Sequence, residues 1–61
     1  MLKELEPVKL LCDYNEIKAG TLGTVVLAYD DHIVEVEFID GAGDIIGVYT
    51  IPVEVLEKTE S

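Results

Sequence analysis

The sequence predicts an all-β fold: a small SH3-like barrel of about five strands with one short helical turn before the last strand. Apolar residues recur at a period of two rather than at helical spacing, clearest where Val34, Val36 and Phe38 alternate with Glu35 and Glu37. Turn-forming residues interrupt the pattern at short intervals, at residues 30–32 and 40–44. The chain has only 61 residues, so a single sheet must curl to bury one face, and a closed or nearly closed barrel does this while removing exposed edges. Another small barrel, such as a shortened OB-like fold, or a form completed on dimerisation, are the competing architectures.

An acidic start is expected to fray over residues 1–5, and so is a polar tail over residues 58–61, within one domain spanning residues 1–61. The first strand is expected at residues 8–12, and Cys12, the only cysteine, reads as a buried structural thiol in that apolar run. A single cysteine excludes an internal disulfide and a thiolate metal cluster within one chain. Residues 13–20 form a long polar connection. The second strand, residues 23–29, is rich in β-branched side chains and stops at Asp30-Asp31-His32. The third runs over residues 33–39, half buried, with Val34, Val36 and Phe38 on one face and Glu35 and Glu37 on the other.

Residues 40–44, Asp-Gly-Ala-Gly-Asp, make a hairpin connection in which glycine supplies positive φ. A fourth strand over residues 45–51 is stopped by Pro52, which has no N–H for a central ladder. Residues 52–54 suit one helical turn with the proline at its first position. Residues 55–57 close the domain as a short strand.

The segment Lys18-Ala19-Gly20-Thr21-Leu22-Gly23-Thr24-Val25-Val26 resembles the Gly-x-x-Gly-x-Val turn-and-strand of KOW-type and other SH3-like barrels. Further along come Tyr29-Asp30-Asp31, then Val34-Glu35-Val36-Glu37-Phe38, an Asp-Gly turn, Thr50-Ile51-Pro52 and Leu56. Over about residues 4–57 the chain resembles the small bacterial family described as domain of unknown function 4926. That resemblance implies the barrel architecture, and it implies small stand-alone proteins often paired in genomes with another short gene, hence a toxin-neutralising or accessory role. It supplies no active residues. KOW modules contact RNA or ribosomal protein through basic loops, whereas the matching loop here carries Asp13, Glu16 and only Lys18.

Thirteen acidic residues face four lysines and no arginine, a formal charge of −9. Nucleic-acid binding needs cations to displace phosphate counterions, so no direct nucleic-acid partner is expected. Anionic membrane surfaces are disfavoured for the same reason, and no apolar run approaches the roughly 20 residues of a spanning helix. The first seven residues carry neither a basic segment nor an apolar h-region, so a cytoplasmic location is expected.

The inventory for catalysis is thin, and no enzyme, cofactor or catalytic residue is expected. Ser61 is the only serine and lies in the tail, and His32 is the only histidine and lies in a turn. A Cys12–His32 dyad would place a nucleophile in a strand core with no oxyanion donor. The pair Asp40 and Asp44 lacks the graded ligands of a calcium loop, and Asp30-Asp31-His32 reads as a turn that uses Asp for local backbone hydrogen bonds. No metal is expected.

Apolar excess is the informative anomaly. One face of strand two would carry Val25, Leu27 and Tyr29 and the other Thr24, Val26 and Ala28. Strand four would carry Ile45, Tyr49 and Ile51 against Ile46, Val48 and Thr50. One small interior cannot take both faces of both strands, so an exposed strip across strands two to four, crossed by Glu35 and Glu37, is a candidate contact patch. The expected contact residues are Glu35, Glu37, Ile45 and Tyr49 on the sheet, with Tyr14 and Glu16 in the first loop. The expected partner is a basic protein, steered by charge and held by apolar contact. The alternative is a self-associating structural subunit whose apolar strip is a homodimer interface.

Overall fold

In a computed structural model the protein is described over residues 2–59. Met1, Glu60 and Ser61, part of the ends expected to fray, lie outside the described residues. Five antiparallel strands form one sheet: β1 (Pro7–Leu10), β2 (Leu22–Ala28), β3 (Ile33–Ile39), β4 (Ile45–Pro52) and β5 (Leu56–Lys58). A single 3-10 turn, Val53–Val55, precedes β5. The order across the sheet is β4-β3-β2-β1-β5. This is the strand–loop–meander–turn–strand arrangement expected from the sequence. Among the described residues no helix is long and apolar enough to cross a membrane.

The sheet curls until both of its edges contribute to one core. Ile51 from edge strand β4 and Leu56 from edge strand β5 belong to the same buried cluster as Val8, Leu10, Val25, Val34, Val36 and Phe38. The 3-10 turn bridges the two sides: the Val53 N–H donates to the His32 carbonyl (2.8 Å) and the Leu11 N–H to the Val55 carbonyl (2.8 Å). Pro52 precedes this turn with extended dihedrals (φ −68°, ψ 138°) and ends β4, so it caps the turn instead of occupying its first position. A folded chain of this mass should expose about 3,900 Å², and this one exposes 3939 Å².

Both ends are tied down where they are described. The Leu5 N–H donates to the Val25 carbonyl and the Val25 N–H to the Glu6 carbonyl, while Leu2 packs against the core. At the other end Lys58 pairs with Val8, and the Thr59 N–H donates to the Pro7 carbonyl. Backbone pairing at both ends thus extends past the apolar pattern that sequence periodicity detects.

The long first connection also holds more structure than its polarity implies. Tyr14 and Ile17 exchange backbone hydrogen bonds around a tip at Asn15 and Glu16, with Asn15 in the left-handed region (φ 54°). This tight turn drives Ile17 into the core, where it is 2% exposed. Cys12, in contrast, is exposed. β1 ends at Leu10, so the alternation that buries Val8 and Leu10 does not reach residue 12, and the buried-thiol expectation fails.

Candidate functional site

Strand register assigns every outward residue. β3 holds strict alternation, burying Val34, Val36 and Phe38 and turning Glu35 and Glu37 outward between half-buried Ile33 and Ile39. β2 departs from alternation at a bulge between Val25 and Leu27. Val25 faces Val36 in the core, but beyond the bulge Leu27 lies opposite Glu35 and Ala28 opposite Val34. Leu27 is therefore on the outer face, not with Val25 as strict alternation predicts. A bulge adds one residue to one strand and reverses the facing of all that follows.

β4 repeats the device. Phe38 pairs with Gly47 but Ile39 pairs with Ile45, leaving Ile46 as the extra residue. Ile45 consequently shares the outer face with Glu35, Glu37, Val48 and Thr50, whereas Tyr49 and Ile51 face the core. This corrects the expected grouping of Ile45 with Tyr49. Tyr49 is half buried against Phe38, with ring centroids 6.2 Å apart at 54°. Tyr14 also packs against the core, and Glu16 is exposed at the tip of the first loop. Of the six expected contact residues, the structure brings Glu35, Glu37 and Ile45 onto one face.

That face reads as cross-strand rows. One row runs Glu57, Lys9, Leu22, Ile39, Ile45, a second Pro7, Thr24, Glu37, Val48, and a third Leu27, Glu35, Thr50. Ile45 is 64% exposed, Val48 52% and Leu22 48%. The apolar excess of the sequence is thus an exposed strip over β2, β3 and β4, as expected, with Leu22, Leu27 and Val48 as members that parity reasoning missed or misplaced. The missing signal is the bulges, which leave no mark in a β-branched run such as Thr24-Val25-Val26.

Electrostatics sharpen the picture at the β4 side. Lys9 is drawn to Glu57 (3.7 Å) and Lys58 to Glu6 (3.2 Å). Among the described residues half-buried Glu35 and Glu37 have no ion-pair partner, so no cation of the fold neutralises their charge. Glu35 accepts a hydrogen bond from the Tyr29 hydroxyl. That bond to a carboxylate, reinforced by partial desolvation and the negative charge itself, holds the Tyr29 phenol above its ordinary value.

The turns account for the other acidic motifs. Asp30 Oδ1 accepts the N–H groups of His32 (2.8 Å) and Ile33 (2.9 Å), which lowers its carboxyl below the usual range. Asp40 Oδ1 accepts those of Ala42 (2.9 Å) and Asp44 (3.0 Å). Each aspartate closes its own turn. Among the described residues no three His, Cys, Asp or Glu side chains gather at one point. An open trough of 530 Å³ lies between residues 19–22 and the 40–44 hairpin, with Leu22, Ile39 and Asp40 in its walls.

The model of the family described as Domain of unknown function (DUF4926) matches residues 4–58. No curated protein and no solved structure matches the chain.

Proposed function

The chain belongs to the DUF4926 family over residues 4–58, whose description names no activity, and we propose from the residues themselves that it is a non-enzymatic module binding a basic protein partner. The observation that carries this is the outer face of β2, β3 and β4, where exposed Leu22, Leu27, Ile45 and Val48 surround Glu35 and Glu37, which have no ion-pair partner among the described residues. Exposed apolar area of this kind on a soluble domain marks a contact surface. Open charge of one sign speeds encounter with a partner of the other sign, and the apolar strip holds the complex once water is expelled. Tyr49 and Tyr14 act on this reading as core supports.

A toxin-neutralising or accessory protein needs this chemistry, because an acidic surface can cap a basic site on another protein. Homodimerisation is the second reading, favoured by the uncharged β2–β4 part of the first row, Leu22, Ile39 and Ile45. A formal charge of −9 per protomer opposes it at low salt. Affinity capture on the wild-type protein at two salt concentrations tests the first reading. A single dominant basic protein, recovered in near-stoichiometric amount at low salt and less at high salt, is expected. Recovery of acidic proteins only, or light scattering that shows a dimer tightening with salt and no bound partner, would contradict it.

A further inference from the structure

The pairing pattern deepens that reading, and rests on it: we infer that the basic partner docks by adding an extended segment of alternating basic and apolar residues to the free edge of β4. β4 is the terminal strand of the sheet and, among the described residues, pairs only with β3. Successive residues in an antiparallel strand direct their backbone groups to opposite neighbours. The Val53 N–H bonds the His32 carbonyl across the β3–β4 register, and the Tyr29 N–H bonds the Ile33 carbonyl across the β2–β3 register. Ile33 and Glu35 therefore address β2, while Val34 and Val36 address β4 through their partners Ile51 and Tyr49. Val48 and Thr50 are left with N–H and C=O groups turned to the open side. Pro52, next in the same alternation, lacks an N–H and bounds the free edge.

The two edges are defended unequally. β5 has three residues and carries Glu57 and Lys58, the short, charged form that discourages strand addition. β4 has eight residues and no charged side chain. Ile45, Ile46 and Val48 on it are exposed.

Charge selects the occupant. Val48 and Thr50 lie directly opposite Glu37 and Glu35 on the outer face. A strand added beside β4 runs about 9–10 Å from β3, two strand spacings away. A Lys or Arg level with Val48 or Thr50 spans that distance over the short side chains between and reaches the row of Glu37 or of Glu35, the latter carboxylate also accepting the Tyr29 hydroxyl. The intervening residues of the added strand point to the opposite face beside half-buried Tyr49, where an apolar side chain fits. A second copy of β4 brings no cation and sets two acidic surfaces side by side. Strand addition with backbone hydrogen bonds and alternate side-chain contacts is the recognition mode these features suit.

The test uses the full chain, a synthetic peptide of alternating Lys and Val, and a peptide of the same composition with Lys and Val in separate blocks. With the alternating peptide, exchange of the Val48 and Thr50 amides should slow by about tenfold or more while Tyr49 and Ile51 change little. Thr50→Pro removes an N–H outside the β3 ladder, and it should weaken binding by about tenfold or more with an unchanged circular dichroism spectrum. If that variant fails to fold, Thr50→Lys places a cation on the edge and should weaken binding likewise. Binding lost in Glu35→Lys/Glu37→Lys but without slowed exchange at Val48 and Thr50 overturns the edge mode and leaves the face reading standing. Binding indifferent to all of these substitutions counts against both. Slowed exchange that grows with protein concentration in the absence of peptide assigns the edge to a second copy and overturns the inference.

Discussion

A Cβ built on Gly23 would sit 2.6 Å from Val36 Cγ1 and 2.9 Å from both the Glu37 carbonyl oxygen and Phe38 Cδ1. Gly20 has open space around it but a φ of +91°. The two glycines of one motif are thus required for different reasons, close approach of strands at Gly23 and a left-handed turn at Gly20. Gly23→Ala should destabilise the fold by about 1–3 kcal/mol through overpacking, measured by chemical denaturation. Gly20→Ala should cost about 1–2 kcal/mol through its dihedral alone. The sequence marks these glycines through the Gly-x-x-Gly-x-Val motif, but which constraint acts at each is visible only once the opposing strand is in place.

Two titrating groups give a pH signature at the same scale. The Asp30 carboxyl is lowered in the folded state by the two amides it accepts, chiefly that of His32. Its contribution to stability is present above the ordinary carboxylate range and is lost as pH falls through the lowered folded value. Asp30→Asn should therefore flatten the acid limb of the stability curve, read from denaturation midpoints between about pH 2 and 5. The Tyr29 phenol is raised, so its contribution holds below the ordinary tyrosine value and is lost as pH rises through the folded one. Glu35→Gln removes the carboxylate acceptor and should bring the ultraviolet titration of Tyr29 back towards that of free tyrosine.

At the scale of elements, β3 is the organiser. It pairs on both sides, supplies Val34, Val36 and Phe38 to the core, and turns half-buried Glu35 and Glu37 outward between half-buried Ile33 and Ile39. Phe38→Ala should cost about 3–5 kcal/mol. That is comparable to the whole stability of roughly 3–9 kcal/mol expected for a domain of this size, so loss of the cooperative unfolding transition is the expected outcome. β3 was legible to its boundaries because nothing interrupts its alternation. β2 and β4 were legible as strands but not as faces, since each carries a bulge that reverses the sides of Leu27 and of Ile45. The candidate site is therefore readable in its charges and in its apolar surplus, while Tyr49, expected on the contact face, packs against the core. Ile17 went unseen as a core residue because a single apolar side chain in a polar loop has no period to announce it.

For the whole molecule, charge and marginal size act together. A −9 chain packed within 29 × 22 × 20 Å repels itself, and added salt screens that repulsion over a Debye length of about 10 Å at 0.1 M. The thermal midpoint should rise when salt is increased from about 10 mM to 150 mM; a fall would mean that the Lys9–Glu57 and Lys58–Glu6 pairs dominate the electrostatics. The same charge must act locally if it also chooses a partner. The direct test is the affinity of the captured partner for wild type, for Glu35→Lys/Glu37→Lys, and for Glu4→Lys/Glu54→Lys, which alters net charge equally through exposed residues outside the β2–β4 face. The surface proposed here predicts a loss of about a hundredfold or more for the first pair and little change for the second. Equal affinity of all three, or equal loss in both variants, would contradict it.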